Sequence, residues 1–424
     1  MDYTVDEVLQ FVQENDVKFV RLAFCDIFGT LKNIAIMADE LPNVFRYGKA
    51  FDASAVKGFM YEGETDLVLF PDPSTLMVLP WRPRQGRVAL FFCDIRHPNG
   101  EAFDGDGRYL LKTAVDACAR MGYTATIGTE CSFYLFETDE KGNPTDVPFD
   151  RGGFFDVAPL DKGENIRRQI CLSLEEMGLH PESSHHEQGP GQNVIDFRYS
   201  DPLGAADHMI SLKSAVQSVS AVNGLYASMM PKPLKNEAGN GVHLNLSVSY
   251  RGECLFRSPE KGMSEMARQF IAGILSHIRE ITVFLNPVVE SYERLSSPDA
   301  PRFVTWSWQN RAQLIRIPVS SRDSSRIELR SPDPCMNPYV AFALILMAGL
   351  DGISRKLELC ESTNIDLSRA GAERTGNIPV LPGNLREAAL LAKESDFVRG
   401  ILPERMLSAF VDAKLSEHEL AQRI

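Results

Sequence analysis

Four short stretches carry their polar side chains at every second position, the spacing that sets side chains on one face of a β-strand. In IGTECSFYLF (127–136), Glu130, Ser132 and Tyr134 share a face while Cys131, Phe133 and Leu135 point the other way. His243, Asn245 and Ser247 do the same in GNGVHLNLSVS (239–249), and Arg326, Glu328 and Arg330 flank Ile327 and Leu329 in SSRIELRSPDP (324–334). In SSHHEQGPGQNVIDF (183–197), His185 and Glu187 precede a Gly-Pro-Gly turn, and Gln192 and Val194 follow it. Two carboxylates and a histidine from separate strands, Glu130, Glu328 and His243, can converge on a divalent cation. So oxygen-rich a set suits Mg2+ or Mn2+ better than zinc. The arginines beside Glu328 then face anionic substrate or phosphate groups, which their planar forks grip in pairs of bonds. Each signal has a plainer reading on its own: an Arg-x-Glu-x-Arg strand face is commonly solvated or salt-bridged, and a single strand histidine commonly structural. Together the four stretches describe a metal-dependent enzyme handling an anionic substrate.

Holding side chains on four strands takes a sizeable core, and 424 residues can bury one across about two or three domains. With 44% hydrophobic and 24% charged residues, neither wholesale disorder nor a fibrous architecture fits. Fifty-seven acidic against 44 basic side chains leave a net charge of −13, which opposes binding to nucleic-acid backbones and anionic membrane surfaces. The longest apolar stretch, 339–350, falls short of the roughly 20 residues that span a bilayer, and the acidic N-terminus lacks a signal-peptide pattern. A cytoplasmic protein is the expectation. Eight cysteines are scattered without CxxC spacing, so thiolate metal sites have little support and most of these thiols are expected in the core.

The first hundred residues alternate short β-like runs with Gly/Pro punctuation: VKFVRLAF, DLVLF, LMVLPW and RVALFFCDI, after one short helix that opens with a Thr4-x-x-Glu7 capping box. A small sheet domain is expected there, ending in the polar segment 100–107, with a helix next that stops at Gly122. Beyond it, Ile166, Ile170, Leu174 and Met177 share one helical face. So do Met209, Leu212, Val216 and Val219, and then Met263, Met266, Phe270, Ile274 and Ile278. A further helix should start at Asn337-Pro338, with Asn as cap and Pro at the first helical position.

The residues also match a known family in order over more than 300 positions. FDASAVKGF (51–59), ETDLVLFPDPSTLMVLPW (64–81), GTECSFYLF (128–136), HHEQGPGQ (185–192), MPKPLKNEAGNGVHLN (230–245), YERL (292–295), NRAQLIRIP (310–318) and RIELRSPDPCMNPYVAFAL (326–344) give the sequence a form that resembles class I glutamine synthetase and related γ-glutamyl-amide ligases. The resemblance implies an α+β fold: a β-grasp domain over 1–103, then a glutamine-synthetase-type catalytic α/β domain over 104–424 with a curved antiparallel sheet. It implies active sites between neighbouring subunits of a ring. It implies an ATP-dependent ligase that converts the γ-carboxylate of glutamate, or a similar acid, to an acyl phosphate and joins it to ammonia or another amine, with Mg2+ or Mn2+ offsetting phosphate charge. By resemblance, Glu130, His243 and Glu328 bind the metal associated with phosphoryl transfer, and Glu187 belongs to the metal site nearer the amino acid. Arg294 and Gly239 hold glutamate, Arg330 meets its side chain or the transferred phosphate, and Arg311, Arg316, Arg326 and Ser247 contact ATP. Asp52 of the adjacent subunit and Asp299 of a mobile loop serve the incoming amine.

The departures from the family pattern fall close together. Ser132 and Val194 stand where two metal-site glutamates are expected, Ala55 and Phe154 replace a serine and a tyrosine of the ammonium pocket, Asp299 replaces a glutamate, Asn245 a histidine and Ala238 an asparagine. With Ser132 and Val194, the metal site around Glu187 is expected to be weak. Loss of polar groups in that half-site fits a larger, less polar amine, or alternatively a catalytically impaired paralogue serving as a ligand-binding regulator or assembly partner. A phosphotransferase is a third reading, since guanidine kinases share the catalytic fold. The segment after Gly376 lacks the tyrosine used for adenylylation, and the sequence stops before the segment with which family members clasp a partner ring, so rings are expected and their face-to-face stacking is left open.

Overall fold

The computed structural model describes residues 3–59, 65–256, 263–298, 300–318, 325–367, 370, 375–376 and 378–423. The chain opens with α1 (Val5–Glu14), whose capping box forms as expected: the Thr4 hydroxyl accepts from the Glu7 amide and the Glu7 carboxylate accepts from the Thr4 amide. Then follow β1 (Val17–Cys25), β2 (Leu31–Met37), α2 (Leu41–Tyr47), β3 (Lys49–Asp52), β4 (Asp66–Pro71), β5 (Met77–Val78) and β6 (Arg87–Arg96). These strands form one sheet in the order β2-β1-β6-β4-β3, with β5 beside β6 and only β1 and β6 parallel. Helix α2 went unread in the sequence because two turns carry too little periodicity to stand out; it buries Leu41 and Val44.

The remaining chain runs α3 (Gly107–Arg120), β7 (Tyr123–Thr138), β8 (Pro144–Pro148), α4 (Glu164–Glu176), β9 (Pro181–His186), β10 (Gln192–Phe197), α5 (Pro202–Val222), β11 (Leu225–Ser228), β12 (Val242–Tyr250) and β13 (Glu253–Cys254). After these come α6 (Glu265–Leu285), α7 (Val289–Leu295), β14 (Trp306–Trp308), β15 (Ile315–Ile317), β16 (Ile327–Leu329), α8 (Pro338–Arg355), α9 (Leu385–Glu394), α10 (Asp396–Arg399) and α11 (Glu404–Ala421). A second sheet takes the order β14-β15-β16-β12-β7-β10-β9, antiparallel except for β14 against β15.

Alternation splits this sheet into two chemistries. Cys131, Phe133, Leu135, Val242, Leu244, Leu246, Ile327 and Leu329 are all fully buried on one side, which joins the core with α3, α5, α6 and α8. The other side carries the polar residues. The helical stripes pack inward as expected, though Met263 and Met266 are only half-buried at the start of α6. Helix α8, capped by the Asn337 side chain, is long and apolar enough to cross a membrane by length and composition alone, but 72% of it is buried within the fold. Cys25, Cys93, Cys118 and Cys131 are buried, Cys171, Cys254 and Cys335 half-buried and Cys360 exposed, so the core holds half of the thiols and not most of them.

One buried ion cluster joins the two sheets. Arg108, 3% exposed at the start of α3, donates to Asp94 (2.8 Å) and Asp72 (2.9 Å) of the first unit and to Asp207 of α5 (3.0 and 3.3 Å). The Tyr339 hydroxyl on α8 donates to the same Asp207 at 2.6 Å, and Lys112 caps Asp94 at 2.6 and 2.7 Å. Burial opposes the charge on Arg108, but the aspartates overcome it and raise its pKa well above the ordinary value.

Candidate active site

The polar face of the second sheet assembles through strand register. His243 on β12 lies opposite Glu130 on β7, Asn245 opposite Glu328 on β16, and Arg316 on β15 opposite Glu328. The His243 Nδ1 is 3.0 Å from a Glu130 carboxylate oxygen and 3.7 Å from one of Glu328. The Arg316 Nε lies 2.8 Å from the other Glu328 oxygen, and Arg330 donates to the first. Burial alone would raise the Glu130 carboxyl, but His243, by charge and hydrogen bond, with Arg330 and His185, holds it down at about 2. Glu328 is lowered in the same way, against burial, by His243, Arg330 and Arg316. Both carboxylates are thus kept ionised, and with His243 they form an O, N, O donor set that fits Mg2+ or Mn2+.

This cluster forms one wall of a cavity of about 370 Å3. Of the residues singled out in the sequence, Glu130, Glu187, Gly239, His243, Arg294, Arg311, Arg316, Glu328 and Arg330 all border it. Arg316 and Arg330 both border the cavity, and among the described residues their terminal guanidinium nitrogens are engaged only where Arg330 donates to Glu328, so donors remain for an anion there, while their Nε atoms are buried without a well-directed acceptor. Arg311 stands exposed at the rim.

The other end of the cavity is built on close backbone packing. Arg294 on α7 is 5% exposed and donates to the carbonyls of Ser331 (2.7 Å) and Arg330 (3.2 Å), while burial lowers its pKa to about 10. A Cβ on Gly239 would come within 2.8 Å of the Arg294 stem, and one on Gly241 within 2.6 Å of its Nη2, so only glycine lets the chain pass there. Ser132 is committed to this loop: its hydroxyl accepts from the Gly241 amide (2.9 Å) and donates to the Gly241 carbonyl (3.1 Å). It therefore offers a bound ion one lone pair, and Val194, opposite it on β10 and 1% exposed, offers none. Glu187, 3.5 Å from His185 Nε2, is the carboxylate at that end.

Three sequence-derived candidates lie elsewhere. Asp52 ends β3 on the exposed surface of the first unit, its carboxylate accepting the Ser54 amide at 2.8 Å, and does not reach the cavity of its own chain. Arg326 and Ser247 continue the same sheet face beyond the cavity: the Arg326 Nε donates to Asn245 at 2.9 Å and the Ser247 hydroxyl to the Ser325 carbonyl at 3.2 Å. Asp299 lies outside the described residues. Asp196 was missed although it continues the alternation of Gln192 and Val194; it lies opposite Glu130 in register, and burial, with the Glu130 charge, raises its pKa to about 6. Phe155, which borders the cavity beside Phe154, was also missed. A buried trio, Asp150, Asp161 and His186, has ligand-like spacing, but Arg167 already pairs with Asp161 at 2.6 Å and His186 with Asp150 at 2.9 Å, so the trio is a satisfied structural network.

Two family models match the chain, the glutamine synthetase beta-Grasp domain over residues 16–98 and the glutamine synthetase catalytic domain over 104–423. The chain belongs to the glutamine synthetase family. The glutamine synthetase of Methanosarcina mazei is 45% identical over 420 residues, spanning 98% of this chain and 94% of that protein. The glutamine synthetase of Clostridium saccharobutylicum is 43% identical over 420 residues, with 98% and 95% covered. Among solved structures, a GmaS/ADP complex superposes with a TM-score of 0.89 at 28% identity, covering 100% of this chain and 97% of its own, and apo GmaS with 0.88 at 29%, covering 98% and 96%. As in glutamine synthetases, a β-grasp domain precedes the catalytic domain with its curved sheet. The family consists of ATP-dependent ligases that use divalent metal ions, and the ionised Glu130–His243–Glu328 set beside donor-rich arginines is chemically suited to such a reaction.

Proposed function

We propose that the protein is an ATP-dependent ligase that joins the γ-carboxylate of glutamate to ammonia or another amine through an acyl phosphate. The observation that carries this reading is the Glu328 cluster: one ionised carboxylate gripped by Arg316 and Arg330, a histidine bridging it to Glu130, and a cavity beside them. Glu130, His243 and Glu328 would hold Mg2+ or Mn2+, which when bound neutralises phosphate charge. Arg316, Arg330 and Arg311 orient the phosphates through donors that the fold leaves open, and Arg326 and Ser247 extend the same face toward the rest of ATP. Arg294, fixed by two main-chain carbonyls over Gly239 and Gly241, holds the amino acid, and Glu187 serves the substrate and, weakly, a second metal. Exposure of Asp52 away from its own cavity supports a ring in which each subunit completes its neighbour's site, with Asp52 and the loop bearing Asp299 acting on the amine.

The division of the chain at 103/104 and a cytoplasmic location belong to the same reading. The comparisons lend no support to a non-catalytic paralogue. Phosphate release from ATP, assayed with glutamate and a panel of amines, tests the proposal. The expected result is release that requires both co-substrates and yields an amide; a stable phosphorylated small molecule, or release indifferent to amine, would reject it.

A further inference from the structure

Two large apolar side chains stand in the open at the mouth of the cavity, where an ordinary fold would cover them. Phe154 is 42% and Phe155 61% exposed. Their ring centroids are 3.9 Å apart, and the His185 ring closes the group at 4.7 Å from Phe155 and, edge to face, at 5.7 Å from Phe154. The Glu187 carboxylate lies 3.5 Å from the same imidazole. The arrangement is fixed by the backbone. Phe155 has φ +62°, a left-handed conformation that costs a non-glycine residue energy, and its amide donates a hydrogen bond to the His186 carbonyl (3.1 Å) that holds it there. The Gly153 amide donates to Asp156 (2.8 Å) and the Asp156 amide to the Gly153 carbonyl (3.0 Å), closing the loop that carries both rings.

Aromatic faces around a carboxylate attract organic cations, because the ring quadrupole adds to the charge and the alkyl part is removed from water. Ammonium itself gains little from such walls. It carries four N–H donors, and the wall facing Glu187 offers it few acceptors: Phe154 and Phe155 have none, and the Ser132 hydroxyl is committed to Gly241. An alkylammonium ion has one donor fewer and an apolar group to lay against the rings. Phe155 and His185 also border an outer cavity of about 600 Å3, so the group opens outward and has room for a substituent.

We propose that the acceptor is a small primary alkylamine, taken as its alkylammonium ion between Phe154, Phe155 and His185 and beside the Glu187 carboxylate. The inference rests on the ligase reading and narrows its amine. The test is kcat/KM for ammonium, methylammonium and ethylammonium at one pH, on the full-length protein and on Phe154→Ala, Phe155→Ala and Phe155→Leu. The wild type should favour the alkylammonium ions by at least about tenfold over ammonium. Each alanine variant should reduce that preference by about tenfold, and Phe155→Leu, which keeps apolar bulk without a ring face, by less. The ratio within each variant controls for losses of overall activity, and an unchanged thermal midpoint for folding. Preference for ammonium in the wild type, or an alkyl-to-ammonium ratio unmoved in both alanine variants, overturns the cage while leaving the ligase intact. Absence of turnover with every amine, ammonium included, overturns both.

Discussion

Two of the clusters of arginines and carboxylates among the described residues differ in a way that separates a joint from a site. At the joint, a single guanidinium meets Asp72, Asp94 and Asp207, with Tyr339 and Lys112 bonding the same aspartates. At the site, a single carboxylate, Glu328, meets two guanidiniums and a histidine, the arginine Nε donors lack well-directed acceptors, and the arrangement faces a cavity of about 370 Å3. In the first cluster every charged group has its partner within the protein, three aspartates against Arg108 and Lys112. The second lies on a cavity bordered by four arginines, Arg294, Arg311, Arg316 and Arg330, against three glutamates, Glu130, Glu187 and Glu328, an excess of cations that suits a phosphate.

The sharpest way to break this comparison is to remove the central group of each. Glu328→Gln keeps the size but not the charge, and should lower amine-dependent phosphate release by about 10³-fold while moving the thermal midpoint by only a few degrees. Arg108→Met should do the reverse. Leaving buried Asp207 and half-buried Asp72 and Asp94 without their guanidinium should cost about 3–5 kcal/mol in equilibrium unfolding, with activity per folded molecule retained. If Glu328→Gln unfolds the chain, or Arg108→Met inactivates it without destabilising it, the distinction fails.

Smaller changes sharpen it. Ser132→Ala strands the Gly241 amide and removes one of the two bonds to the Gly241 carbonyl, which keeps the Ser132 amide, and at about 1 kcal/mol per lost bond should raise KM for glutamate about three- to tenfold through looser seating of Arg294. Arg311→Ala, at the exposed rim, should raise KM for ATP only about threefold, and less at high salt. The satisfied Asp150–His186 pair should appear only in stability. Against burial, the His186 ring and the Gly191 amide hold Asp150 down at about 2, and against burial Asp150 raises His186 above 6.5. The Asp150 contribution is present above about pH 4 and is lost as pH falls toward 2; the His186 contribution is present below about 6.5 and is lost as pH rises through its raised value. Asp150→Asn should therefore lower the melting temperature by a few degrees, most between about pH 4 and 6.5, with little change in kcat.

Much of the site could be read before the fold was known, because a strand has period two. Glu130, His243, Glu328 and Arg330 declared their common face by alternation alone, and register then set them side by side. Arg316 gave no such signal. Its strand has three residues, too few for a pattern, and it came only from family resemblance. Asp196 lay in plain alignment with Gln192 and Val194 and was passed over because the valine broke the polar series. Phe155 was invisible for a physical reason: an apolar residue is expected inside, and a left-handed backbone at a residue other than glycine, here φ +62°, leaves no sign in the sequence. Arg108 was unreadable too, since its aspartate partners lie up to 99 residues away in sequence.

The central claim, that this cavity makes an acyl phosphate, is tested most directly by oxygen transfer. Glutamate labelled with 18O in its γ-carboxylate should pass one labelled oxygen to each inorganic phosphate released when amine displaces it, and Glu328→Gln should slow label and phosphate release together. Phosphate that emerges unlabelled while amide accumulates would contradict the account.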